Sequence, residues 1–147
     1  METTHPRILI AAPHGVLERL AESLDDDELE VLGAETWDEA VRQFHQVKLG
    51  LLVVCYVFDE IRPFRLLQYV QHQQQAHIPT LLVRALPIKL GTTEAADIRE
   101  SYMALGVDEF INLHDEEEAS GRAIALRRFR QSVLRKLASP PAMTAGV

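Results

Sequence analysis

The run "LGLLVVCYVF" at 49–58 constrains the fold more than any other stretch of the chain. A strand that is apolar at odd and even positions alike buries both of its faces. That is the situation of an inner strand in a parallel sheet sandwiched between helices. Four further short runs, rich in Ile, Leu and Val, read the same way: "RILIAA" (7–12), "ELEVLGAE" (28–35), "TLLVRAL" (80–86) and "EFINL" (109–113).

Helical patterns separate these runs. The first, from about Val16 to Leu24, places Val16, Leu17, Leu20 and Leu24 on one side. The second opens with a capping box, Thr36 as N-cap and Glu39 three positions on, ahead of Val41 and Phe44. Pro63 suits the first position of a third helix that carries Phe64, Leu67 and Val70 inward. A fourth helix is expected from about Glu94 to Leu105, capped by Thr93 and stopped at Gly106, and a fifth from about Glu118 to Leu137. Five strands alternating with five helices imply right-handed crossovers and a three-layer α/β fold, a doubly wound, five-stranded parallel sheet.

Composition bounds the function. The 147 residues suffice to bury roughly two thirds of the unfolded surface in one core. A net charge of −7 argues against a surface built broadly for nucleic acid, and no apolar run is long enough to span a membrane. The N-terminal "METTHPR" lacks the pattern of a signal peptide, so a cytoplasmic location is expected. The single Cys55 excludes an internal disulfide and agrees with a reducing compartment. The expected organisation is one domain over residues 1–137 and a disordered tail over 138–147.

The residues narrow the choice among doubly wound folds. "RILIAAPHG", "LLVVCYVFDEIRPFRLL", "IPTLLVRA" and "ALGVDEFIN" resemble, in order, the first strand and turn, the third strand with its loop and helix, the fourth strand, and the approach to the fifth strand of the receiver domain of bacterial response regulators. The resemblance runs from about Arg7 to Leu137 and implies a flavodoxin-like sheet of order 2-1-3-4-5. It implies a place in two-component signal transduction or a phosphorelay.

The same resemblance is a series of substitutions in the chemistry. Receivers hold Mg²⁺ with an acidic pair after the first strand, because a hard cation takes oxygen ligands. Those positions are Ala12 and Pro13 here. The phosphoacceptor aspartate, a carboxylate able to form an acyl phosphate, is replaced by Cys55. The hydroxyl and lysine that bind the phosphoryl oxygens are replaced by Arg84 and Leu113. The resemblance therefore implies a degenerate pseudo-receiver: not an enzyme, with no cofactor and no metal, acting through protein–protein contacts.

A second class of function is a small-molecule or thiol/redox sensor using a remodelled pocket around Cys55 and Arg84. His14, Asp59, Glu60 and His114 are expected near the same rim, with Ile88 in an unusually long 85–93 connection that could form a lid or a docking surface. No CxxC, HExxH or GxGxxG spacing is present, and Cys55 also reads simply as a small core residue. Arg84 could bind an anion, or pair with Asp59 or Glu60 and close the cavity.

"GRAIALRRFRQSVLRKL" holds six of the fifteen Lys and Arg residues. An inward stripe of Leu126, Phe129, Val133 and Leu137 leaves Arg127, Arg128 and Arg135 outside, either as a solvated face or as a contact surface. A helix of some twenty residues spans about 30 Å and would overhang its strand. A protein partner, or self-association to a dimer, is expected at the fourth helix, fifth strand and fifth helix, the usual output face of receivers. Neither a membrane nor nucleic acid is an expected partner.

Overall fold

A computed structural model of the chain describes residues 5–56, 63–73, 78–86, 100, 103–104 and 106–138, with 63 and 64 described in backbone only. Its strands are β1 (Arg7–Ala11), β2 (Glu30–Ala34), β3 (Leu51–Cys55), β4 (Thr80–Val83) and β5 (Glu109–Ile111). They form one parallel sheet in the order β2-β1-β3-β4-β5. The helices described are α1 (His14–Ser23), α2 (Trp37–Gln46), α3 (Pro63–Gln73), α4 (Leu113–Ser120) and α5 (Arg122–Ala138).

The pleat divides the apolar strands between two cores. Ile8, Ile10, Leu51, Val53, Cys55, Leu81 and Val83 face α1 and α5, which contribute Val16, Leu20, Ala125, Phe129 and Val133. Leu9, Ala11, Leu52, Val54 and Leu82 face the opposite core, where α2 and α3 contribute Ala40, Leu66, Leu67 and Val70. All five residues of β3 are buried, as an inner strand requires. β2 departs from the expectation of a strand covered on both faces. It is an edge strand, and only its last residue, Ala34, is buried. Gly33 has a packing reason, since a Cβ there would meet Leu17 Cδ2 at 2.9 Å.

The expected cap of α2 forms. Thr36 Oγ1 accepts from the Glu39 N–H at 3.2 Å, and Glu39 reaches back one residue beyond the cap to accept from the Glu35 N–H at 2.8 Å. α3 begins at Pro63 as expected, with Leu67 and Val70 buried. Most of the predicted helix 94–105, including its Thr93 cap, lies outside the described residues; Met103 and Ala104 are helical, and Gly106 behind them has φ +92°.

The C-terminal region corrects the single helix expected over 118–137. The strand expected over 109–113 stops at Ile111, and α4 starts at Leu113. Asn112 caps α4, accepting from the Asp115 N–H, and Asp115 and Glu116 place negative charge in the first turn, where the helix dipole favours it. Gly121, at φ +91°, ends α4 and lets the chain restart as α5. α5 has 17 residues, about 25 Å of helix, so the overhang inferred from a longer rod is reduced. Phe129 and Val133 of its expected inward stripe are buried, and Leu126 and Leu137 pack partly against the same core. Ala138, assigned to the tail from sequence, is the last residue of α5, and 139–147 lie outside the described residues.

Candidate functional site: the carboxyl-end rim of the sheet

In a doubly wound sheet, ligands meet the chain at the carboxyl ends of the strands. Here backbone hydrogen bonds continue past those ends. The Ala12 N–H donates to the Ala34 carbonyl at 3.1 Å and the Tyr56 N–H to that of Val83 at 2.7 Å. The Arg84 N–H donates to Ile111 and the His114 N–H to Arg84, each at 2.9 Å. These bonds satisfy main-chain groups that would otherwise be available to a ligand.

The residues at the rim follow the alternation of the strands. Ala11 pairs with Val54 and Cys55 with Val83, so one further step of register sets Ala12 beside Cys55. Ala12 is 0% exposed and Cys55 1%, both in the core shared with α1 and α5. Leu113, the first residue of α4, is also 0% exposed and joins that core. Pro13 is the N-cap of α1 and has no side-chain acceptor to offer its first turn. Sequence and structure thus place no ionisable oxygen at Ala12, Pro13, Cys55 or Leu113.

Arg84 lies at the other half of the rim, almost wholly buried. Its Nη1 donates to Asn112 Oδ1 at 2.8 Å and to Asp115 Oδ1 at 3.0 Å. Asn112 Nδ2 donates to the other carboxylate oxygen of Asp115 at 2.8 Å, so the three side chains close a ring. The Arg84 side chain is 9% exposed and that of Asp115 65%, so the pair sits at a boundary, with the cation inside and the anion outside. Of the two roles expected for Arg84, anion binding or pairing with Asp59 or Glu60, the second involves residues that, like Ile88 and most of the 85–93 connection, lie outside the described residues. Asn112 and Asp115 were missed, although "NLHDEEEASG" carries a helix N-cap, an acidic first turn and a glycine stop.

A second arginine ties α4 from α1. Arg19 Nη1 donates to both carboxylate oxygens of Glu117, at 3.1 and 2.8 Å, and Nη2 reaches the Ala85 carbonyl at 3.5 Å. His114 is half-buried and contributes its backbone N–H to the rim. His14 is exposed, the first residue of α1 and not a loop residue, with Nδ1 at 2.7 Å from Glu35 Oε2 and Nε2 at 3.4 Å from Glu18 Oε1. The hydrogen bond that the ring donates to Glu35, then the charges of Glu35 and Glu18, raise its pKa above the ordinary 6.5.

The remaining predicted residues lie away from the rim. Arg128 is exposed on α5. Arg135 crosses to β5, donating to Glu109 Oε1 at 3.3 Å and to Ser132 Oγ at 3.2 Å. Two surface grooves of about 340 and 420 Å³ run beside α1, and neither is lined by a predicted rim residue. Among the described residues, no three His, Cys, Asp or Glu side chains are gathered to hold a metal ion, and no helix is long and apolar enough to cross a membrane.

No protein-family model and no curated protein matches the chain. Solved structures do. The phosphorylated cyanobacterial phytochrome response regulator RcpA superimposes with a TM-score of 0.71 at 15% identity, over 93% of this chain and 97% of that one. The non-phosphorylated HemR receiver domain of Leptospira biflexa gives 0.69 at 23% identity, over 92% and 96%. The chemotaxis response regulator CheY4 of Vibrio cholerae gives 0.66 at 15%, over 88% and 99%. Together with the strand order 2-1-3-4-5, these likenesses establish that the chain has the flavodoxin-like fold of response-regulator receiver domains.

Proposed function

We propose that this chain is a receiver-like signalling module that takes no phosphoryl group and acts through protein–protein contacts. The observation that carries the reading is the rim itself. Where receivers need a metal-binding acidic pair and a nucleophilic carboxylate, Ala12 and Cys55 are core residues and Pro13 caps a helix. Where they need a hydroxyl and a lysine, Arg84 is engaged with Asn112 and Asp115, and Leu113 is buried. Among the described residues, a divalent ion finds no cluster of negative oxygens there to offset its dehydration. Without it, the charge developing on a transferring phosphoryl group is not stabilised.

The contact surface we assign is the face expected from sequence, where the helix expected over 94–105 meets β5 and α5. Arg128 is exposed there, with Ile124 at 39% exposure one turn before it, a mixture suited to a partner or a second copy. Burial of Cys55 weighs against the thiol sensor, because a thiolate must be formed and reached to react.

The test is incubation of the purified chain with acetyl phosphate and Mg²⁺, read by intact mass. The expected result is an unchanged mass. A covalent phosphoryl group on any rim residue overturns the reading. Cross-linking with a site-specific probe at Ile124 should capture the partner copy or protein, and loss of capture when Arg128→Glu is added locates the surface.

A further inference from the structure

The rim holds one titratable assembly that neither the fold nor the loss of phosphate chemistry accounts for. His14 opens α1 on one side of the sheet, and Glu35 precedes α2 on the other. Their side chains meet across the ends of β1 and β2 at 2.7 Å. Glu35 is itself held, because its N–H donates to Glu39 Oε1 of α2 at 2.8 Å. The remaining ring nitrogen of His14 faces Glu18, one turn along α1, at 3.4 Å.

Both imidazole nitrogens therefore face carboxylate oxygens. A neutral ring has one N–H, so its other nitrogen would set a lone pair against a lone pair. Only the imidazolium donates to Glu35 while also turning an N–H and a positive charge toward Glu18. We propose that His14 is a pH-operated clasp, closed when the ring carries two protons, that joins the start of α1 to the β2–α2 turn and so links helices on opposite faces of the sheet.

The surroundings agree in sign. The positive end of the α1 dipole disfavours an imidazolium at the first helical position. Glu35 and Glu18 outweigh it, and the ring's pKa is raised, with the Glu35 hydrogen bond the largest cause. Glu18 on α1 and Glu35 in the turn are the acids that act on the ring, and Glu39 acts by holding Glu35. The clasp closes as pH falls through the raised pKa of the ring and opens as it rises above it. Its use as an input rests on the reading that the rim takes no phosphoryl group; its existence does not.

The experiment is a ¹H–¹⁵N and imidazole NMR titration of the full chain and of the E35Q, E18Q and H14Q variants. In the wild type, the His14 ring should titrate above 6.5, and the amides of Gly15, Glu35 and Thr36 should shift with the same midpoint. E35Q should lower the midpoint most and E18Q less, while H14Q should abolish the shared transition of the amides. An equal midpoint in the wild type and E35Q overturns the clasp, as do amides at 35 and 36 that ignore the ring. A phosphoryl adduct formed from acetyl phosphate would overturn the proposed function and leave this titration unmoved, so the two failures are distinct.

Discussion

The two halves of the sheet's carboxyl-end rim are closed in different ways. At β1 and β3, Ala12 and Cys55 extend the apolar core to the strand ends. At β4 and β5 a charge is enclosed, with Arg84 held by Asn112 and Asp115 at the start of α4. The first half is sealed by packing, which is insensitive to salt and intolerant of polar atoms. The second is sealed by directional hydrogen bonds at a solvent boundary, which tolerate water and depend on each partner.

The sharpest way to break the comparison is to return a carboxylate to the apolar half. Cys55→Asp should cost about 3–5 kcal/mol in denaturant unfolding, the penalty of an uncompensated buried charge. It should also remain unlabelled by acetyl phosphate, because Ala12 and Pro13 supply no metal ligand. In the polar half, Arg84→Met should cost about 2 kcal/mol by the same measurement, since it deletes charge-assisted bonds while leaving Asn112 and Asp115 near water.

The junction behind α4 comes next. Gly121→Ala should cost about 1–2 kcal/mol, the strain of placing a Cβ at φ +91°. Asp115→Asn should cost less than about 1 kcal/mol, because that carboxylate is 65% exposed and keeps its bonds with Asn112 in amide form. The ratio of the Arg84 and Asp115 effects reads directly which member of the pair lies inside.

The smallest effect belongs to His14. A folded-state pKa raised above 6.5 means the group stabilises the fold fully below the unfolded value and loses that contribution as pH climbs through the folded one. The melting-temperature advantage of the wild type over H14Q should therefore be greatest in mild acid and vanish in alkali. A difference that grows with pH contradicts the assignment.

Much of the fold was readable because it rests on local signals. The fully apolar β3, the Thr36–Glu39 cap and Pro63 each fix an element by the chemistry of a few neighbouring residues. The edge position of β2 was less legible, since "EVLGA" is apolar enough for an inner strand and its exposure follows from which strands flank it. α4 was missed for a different reason. Family resemblance aligned Leu113 with a strand-end lysine, and that alignment concealed the Asn112 cap and the Gly121 stop written in the residues. The partners of Arg84 were beyond reach, because Asn112 and Asp115 lie 28 and 31 positions away and meet it only once α4 has formed.

The absence of a side chain at Gly33 lets Leu17 settle low on β2, which has only β1 for a neighbour. Helix and edge strand are thereby geared together. Any side chain at 33 would have to displace Leu17, and with it the seating of α1 on the edge strand.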